Sequence, residues 1–259
     1  MIDSAALEER LLDHWGTIST EWRWLVEHRP AWTAAFCDYL DATRTGAIDR
    51  ASYELLCVAA FASCTTQDPE WTRVHVANAR RHGATEAQVV EVLQLVSMLG
   101  MHSVIDGLAP VLDEVRKAGW TPAPDTNDMR ARYLDGHGYW KAFDRYFPGF
   151  HDDFIAASPE LFETYQTMGA ASWETSSLDG WLRELVFVVM DLSSTHLYIS
   201  GAKYHTANAL HYGATPEQAL EALRLCTRVS SNIMALGIRA LTETGQQGSE
   251  TDAKGADDD

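Results

Sequence analysis

The sequence predicts an all-α protein in which two tandem helical repeats pack as a pseudo-dimer. Three observations predict it: an ungapped internal duplication, a helix-start box at the same place in each copy, and no convincing period-2 strand pattern. Residues 48–93 and 178–223 align at a fixed offset of 130 positions (184 − 54 and 205 − 75). Along that alignment Asp49/Asp179, Glu54/Glu184, Leu55/Leu185, His75/His205, Ala77/Ala207, Asn78/Asn208, Gly83/Gly213, Ala84/Ala214, Thr85/Thr215 and Gln88/Gln218 are identical.

Each element follows from local chemistry. Asp49 and Asp179 precede apolar runs and are expected to cap the helices that carry Glu54 and Glu184, with Ile48 or Leu178 as a hydrophobic staple. After a turn, a second helix carries His75 and Asn78, or His205 and Asn208. Gly83 and Gly213 suit the left-handed residue that ends that helix. Thr85-Glu86-Ala87-Gln88 and Thr215-Pro216-Glu217-Gln218 are T-x-x-Q capping boxes, the second with Pro at the first helical position, and each starts a long helix ending near Glu114 or Thr242. A further helix is expected before each set, around 30–42 and 159–170. The Gly- and Pro-containing stretch 119–125 reads as the linker, so the expected units are 1–122, 123–244 and a disordered acidic tail over 245–259.

Composition bounds the function. A chain of 259 residues, 46% hydrophobic with nine Trp, can bury one large core or two packed lobes. A net charge of −17 disfavours nucleic acid and anionic membrane as partners and leaves a small-molecule ligand as the better expectation. Cys37, Cys57, Cys64 and Cys226 form no CxxC and no metal-ligand spacing, which suits a reducing cytoplasm. The charged N-terminus has no signal-like apolar segment, and no apolar run approaches the ~20 residues of a membrane span.

The repeated Glu and His carry the chemistry. On antiparallel neighbouring helices, Glu54 can reach His75 and Glu184 can reach His205. A carboxylate beside an imidazole fixes its tautomer and raises its basicity, which suits proton abstraction near neutral pH. Asn78 and Asn208 share the His face and could orient a substrate or the ring. The second copy adds His196, Tyr198, Ser200, Lys203 and Tyr204 around the same point. A buried ion pair joining two helices would give the same pattern. Taken singly, His82, His196 and His211 read as surface or helix-end residues, and Trp71, Trp173 and Trp181 as core or interface.

The segments Arg183 to Leu185, His205 to Thr215 and Arg73 to Thr85, the last followed by EVLQLVSMLGMHSVIDG, resemble the carboxymuconolactone decarboxylase and alkyl hydroperoxidase D family, twice and in register. The resemblance implies an all-helical fold of packed alkyl hydroperoxidase D-like repeats and a homo-oligomer, a trimer of two-repeat chains, with a dimer as the other expectation. Hydroperoxidase-type members carry a CxxC seven and four residues before the His. Here those positions hold Asp68 and Trp71, then Tyr198 and Gly201, so thiol peroxidase chemistry is not expected. The Glu-to-His spacing is also longer than in that type. Cysteine-free lactone decarboxylases are the nearer comparison.

The expected activity is therefore cofactor-independent acid/base chemistry on a small cyclic acid or lactone. His205 assisted by Glu184 would move the proton, Tyr198 or His196 would stabilise the oxyanion, and Lys203 or Arg183 would hold a carboxylate. Glu54 and His75 would form a second site or a scaffold. Two rivals stand beside it: a metal-dependent oxygenase or hydrolase built on His196, His205 and Glu184, and a non-catalytic oligomeric binding module.

Overall fold

The computed structural model describes residues 2–122, 127–136, 138–174, 176–193 and 195–254, and these contain helices but no strand. Three helices, α1 (Ser4–Trp15), α2 (Thr20–His28) and α3 (Pro30–Thr43), precede the first repeat. That repeat is α4 (Arg50–Ala62), α5 (Pro69–Arg81), α6 (Glu86–Ser97), a 3-10 turn (Met98–Met101) and α7 (His102–Lys117). Then come α8 (Asn127–Tyr133), α9 (Gly138–Tyr146), α10 (Phe150–Ala157) and α11 (Pro159–Glu174). The second repeat is α12 (Gly180–Leu192), α13 (Ile199–His211), α14 (Pro216–Cys226), a 3-10 turn (Thr227–Ser231) and α15 (Asn232–Lys254).

Both capping boxes form: Thr85 and Thr215 each accept from the backbone of Gln88 or Gln218, and each Gln accepts from the cap residue's own N–H. Gly83 and Gly213 take φ of 104° and 101°, where a β-carbon would be strained. Asp49 caps α4 through Ser52 N–H, whereas Asp179 sits at the start of α12 without a side-chain capping bond. Ile48 and Leu178 are buried as staples should be. The helices at 30–42 and 159–170 are α3 and α11. α15 runs through Lys254, into the stretch expected as an acidic tail from 245; four linker residues, 123–126, and the last five of that tail, 255–259, lie outside the described residues. The side chain of Trp173 also lies outside them; Trp71 is buried, and Trp181 packs against the core.

The two repeats share one core. α4 and α12 are buried along most of their length and pack against each other, with α14 against α4 and α6 against α12. This crossing is held by two buried carboxylates. Glu91 on α6 accepts from the N–H groups of Ser177 and Leu178, and its equivalent Glu221 on α14 accepts from those of Gly46 and Ile48. α6 and α14 thus each tie down the segment that enters the other repeat's Glu helix, and the expected long helix is split in each copy by a 3-10 turn, Met98–Met101 or Thr227–Ser231.

The helical run from Glu86 to Lys117 is long enough, and in one stretch apolar enough, to cross a membrane by length and composition alone. Polar residues, Glu91, His102 and Asp106 among them, interrupt it, so no unbroken apolar run reaches the length of a span. In the fold it is a component of the shared core at its α6 end, and it leaves apolar side chains such as Val111 exposed at the other.

Candidate active site

Helices α4 and α5 run antiparallel, as do α12 and α13, so each Glu meets its His. His75 Nδ1 lies 2.7 Å from Glu54 Oε2, and His205 Nδ1 lies 2.7 Å from Glu184 Oε2. The carboxylate holds the Nδ1 proton and leaves Nε2 as the nitrogen able to accept one. Asn208 Nδ2 also donates to Glu184 Oε2, at 3.4 Å. From here the copies diverge.

The first dyad is closed. Phe61 and Trp71 stack on the His75 ring, Trp15 packs edge-on to Trp71, and Trp22 lies against Trp15. His75 is 1% exposed and its Nε2 has no partner. Arg50 Nε sits 2.8 Å from Glu54 Oε1 and neutralises it. Asn78 is buried beside Gly16 rather than presented to a ligand. The arrangement is that of an internal ion-pair joint.

The second dyad opens onto a cavity of about 660 Å³ between the repeats. At the position of Arg50 stands Gly180, where a β-carbon would press on the Tyr212 ring. His205 lines the cavity together with Phe187, and the two rings stack at 4.5 Å. The first repeat contributes Leu95, Met98, Met101, His102 and Ile105 to the wall; α8, α9 and α11 add Tyr133, Tyr139, Trp140, Phe143, Tyr165 and Gln166. The lining is mostly apolar and aromatic, with hydroxyl, amide and imidazole groups as its polar points and no Lys or Arg among the described residues. It suits a small, flat, weakly polar ring.

A second polar group lies beside the dyad. His102 Nδ1 is 2.7 Å from His196 Nε2, and His102 Nε2 is 3.5 Å from Asp191 Oδ1. Burial, with the Glu184 carboxylate adding to it, lifts Asp191 to about 7 against the opposing pull of His205. Burial, with the neighbouring imidazoles His196 and His205, takes His102 down to about 4. The Tyr198 ring lies 4.3 Å from that of His102; its hydroxyl is buried, and burial together with Asp106 and Asp191 pushes its pKa up.

These placements revise several sequence expectations. His196 and Tyr198 stand behind His102 and do not line the cavity. Lys203 is exposed in a shallow groove on the other side of α13, with Tyr146 and Leu210. Arg183 is fully buried and bonded to Glu91 and the Ser172 carbonyl, so the fold employs it as the partner of a buried carboxylate. His205 and Glu184 are engaged with each other, and among the described residues His196 groups with His102 and Asp191 instead. A His196, His205 and Glu184 metal triad is therefore not the arrangement formed. A binding module with no pocket at either dyad is not formed either, since the cavity reaches His205. Sequence reasoning missed His102 and Asp191; the available signal was that each is a polar residue with an unlike counterpart in the other copy, Asn232 and Phe61.

Fold and site together define a two-repeat, all-helical protein with one Glu–His pair sealed in its core and one facing an aromatic cavity. The chain belongs to the carboxymuconolactone decarboxylase family, whose model matches residues 30–111 and 159–235, more than half of the sequence. A crystal structure of a protein from Burkholderia xenovorans LB400, provisionally named a gamma-carboxymuconolactone decarboxylase subunit, is similar in fold, with a TM-score of 0.84 and 27% sequence identity. The similarity covers 95% of this chain and 98% of that one. No curated protein matches the sequence.

Proposed function

We propose that the protein is a lyase-type enzyme of this family that performs acid/base chemistry on a small cyclic, aromatic-derived acid or lactone at His205. The observation that carries the reading is the cavity-facing imidazole whose Nδ1 is held by Glu184. In an isomerisation His205 Nε2 takes a proton from the carbon next to a carbonyl and returns it to another carbon. In a decarboxylation the C–C bond to the carboxylate breaks, its electron pair stays on the ring, and a protonated His205, recharged from solvent, delivers the proton there. Glu184 stabilises the imidazolium in either case. With no cationic side chain in the wall, a substrate carboxylate or carbonyl is met by neutral donors such as Tyr139, Gln166 or Tyr212, whose dipoles gain strength in an apolar cavity. Glu54 and His75 act as scaffold.

The name of the structural relative makes gamma-carboxymuconolactone the first substrate to assay, followed by related small lactones. His205→Ala is expected to lower turnover by about 10²–10⁴-fold, and Glu184→Gln to lower it less. Unchanged turnover in both variants overturns the assignment. Exposed apolar residues on α15, Ile233 and Leu236 among them, support a homo-oligomeric state of the kind the family resemblance implies, and the cytoplasm is the proposed compartment.

A further inference from the structure

His102 at the start of α7, and Asp191 and His196 at the end of α12 and in the turn after it, bring their donor atoms within 4.8 Å of one another. Asp191 is fully buried, and neither of its carboxylate oxygens has a hydrogen-bond partner. An unpaired buried carboxylate is costly, so something in the folded protein should meet it. Nor does the duplication account for it. Beside the first dyad the equivalent positions hold Asn232 from the second repeat and Phe61 and Thr66 from the first; there Asn232 Nδ2 donates to Asp68 Oδ2 at 2.7 Å and Phe61 stacks on His75. The fold can fill this place with an ordinary hydrogen bond and an aromatic ring, and does so where there is no cavity.

Gly201 is fitted to the same cluster. A β-carbon there would overlap both Asp191 Oδ2 and the Tyr198 ring, while the equivalent residue in the first copy is Trp71. Two imidazoles and one carboxylate are a donor set suited to divalent ions of the first transition row, and ligand distances of about 2.0–2.2 Å would draw the three groups together with small side-chain shifts.

We propose that His102, His196 and Asp191 bind one divalent transition-metal ion of the zinc or iron(II) class, behind the cavity wall that His102 forms. The other cluster of possible ligands, Glu54, Cys57 and His75, is excluded from this role by Arg50, which already supplies the positive charge to Glu54. The proposal goes beyond the acid/base reading of His205. An ion held there would fix the His102 ring that forms the cavity wall near His205.

The test needs no substrate. Full-length protein, stripped with chelator and free of any affinity tag, is titrated with Zn(II) and with Co(II). One equivalent should bind, and His102→Ala and Asp191→Asn should each weaken binding about tenfold or more, while His205→Ala leaves the affinity unchanged. Circular dichroism establishes that each variant is folded. Should one unfold, X-ray absorption of the Co(II)-loaded wild type decides: a shell of two imidazoles and a carboxylate supports the site, and thiolate or all-water coordination overturns it. Absence of saturable binding, or binding indifferent to both substitutions, also overturns it. Loss of turnover in His205→Ala tests the acid/base reading alone, so the two failures are distinguishable.

Discussion

Glu91 and Glu221 make the same contact in opposite directions: one leaves α6 and the other α14, and each accepts backbone N–H groups from the segment entering the other repeat. The two differ in one respect. Glu91 also pairs with the buried guanidinium of Arg183, whereas in the second case the equivalent of Arg183 is Tyr53. Glu91→Gln therefore leaves a buried cation without its carboxylate and should cost about 3–5 kcal/mol. Glu221→Gln loses part of a neutral backbone anchor and should cost about 1–3 kcal/mol. Urea unfolding of both variants measures the difference, and equal losses would show that the Arg183 pair adds nothing.

The closed first dyad depends on Trp15, which is 2% exposed and sits between Trp22 and Trp71. Trp15→Ala is expected to lower stability by about 3–5 kcal/mol through lost packing and a residual cavity. Turnover per folded molecule should stay unchanged, because the opening is on the far side of the core from His205. Thermal unfolding and a rate measured below the transition separate the two effects.

Gly201→Ala adds one methyl group where the Tyr198 ring and Asp191 already fill the space. Overpacking of this kind costs about 1–3 kcal/mol. The same change at Gly83 or Gly213 would strain a left-handed backbone but meets no atom within 4 Å. A crystal structure of Gly201→Ala should show the Tyr198 ring displaced from His102.

The His14 contribution to stability should be lost in mild acid. Burial, reinforced by the nearby Arg228 charge, holds His14 at about 4 against an ordinary 6.5, although Asp41 pulls the other way. The unfolded chain then binds a proton between those values that the folded chain does not. The contribution is complete above pH 6.5 and is lost as pH falls toward 4, about 1–3 kcal/mol over the window. Denaturant melts of the wild type and His14→Gln across this range should show a flatter acid limb in the variant.

What could be read from sequence was local or duplicated. The capping boxes, the left-handed glycines and the Glu–His pairs rest on short-range chemistry repeated twice, and all formed. What could not be read joins distant segments. His102 meets His196 across 94 positions, and Arg183 meets Glu91 across 92; without that partner, a cation next to Glu184 in sequence looks like a substrate clamp. The wall made by α8, α9 and α11 lies outside the aligned segments 48–93 and 178–223, although α11 takes the place of α3, so the repeat gave no hint of which dyad stays open. The identity of Glu91 with Glu221 lay within the alignment and marks the crossing contact.

The central claim is that one of two duplicated Glu–His pairs does chemistry and the other holds helices together. The most direct measurement is turnover of gamma-carboxymuconolactone, or of the best related lactone, by folded His205→Ala and His75→Ala side by side. The account predicts a loss of about 10²–10⁴-fold for His205→Ala and, for His75→Ala, lower stability with turnover within about twofold of wild type. Equal losses, or a larger loss in His75→Ala, would contradict it.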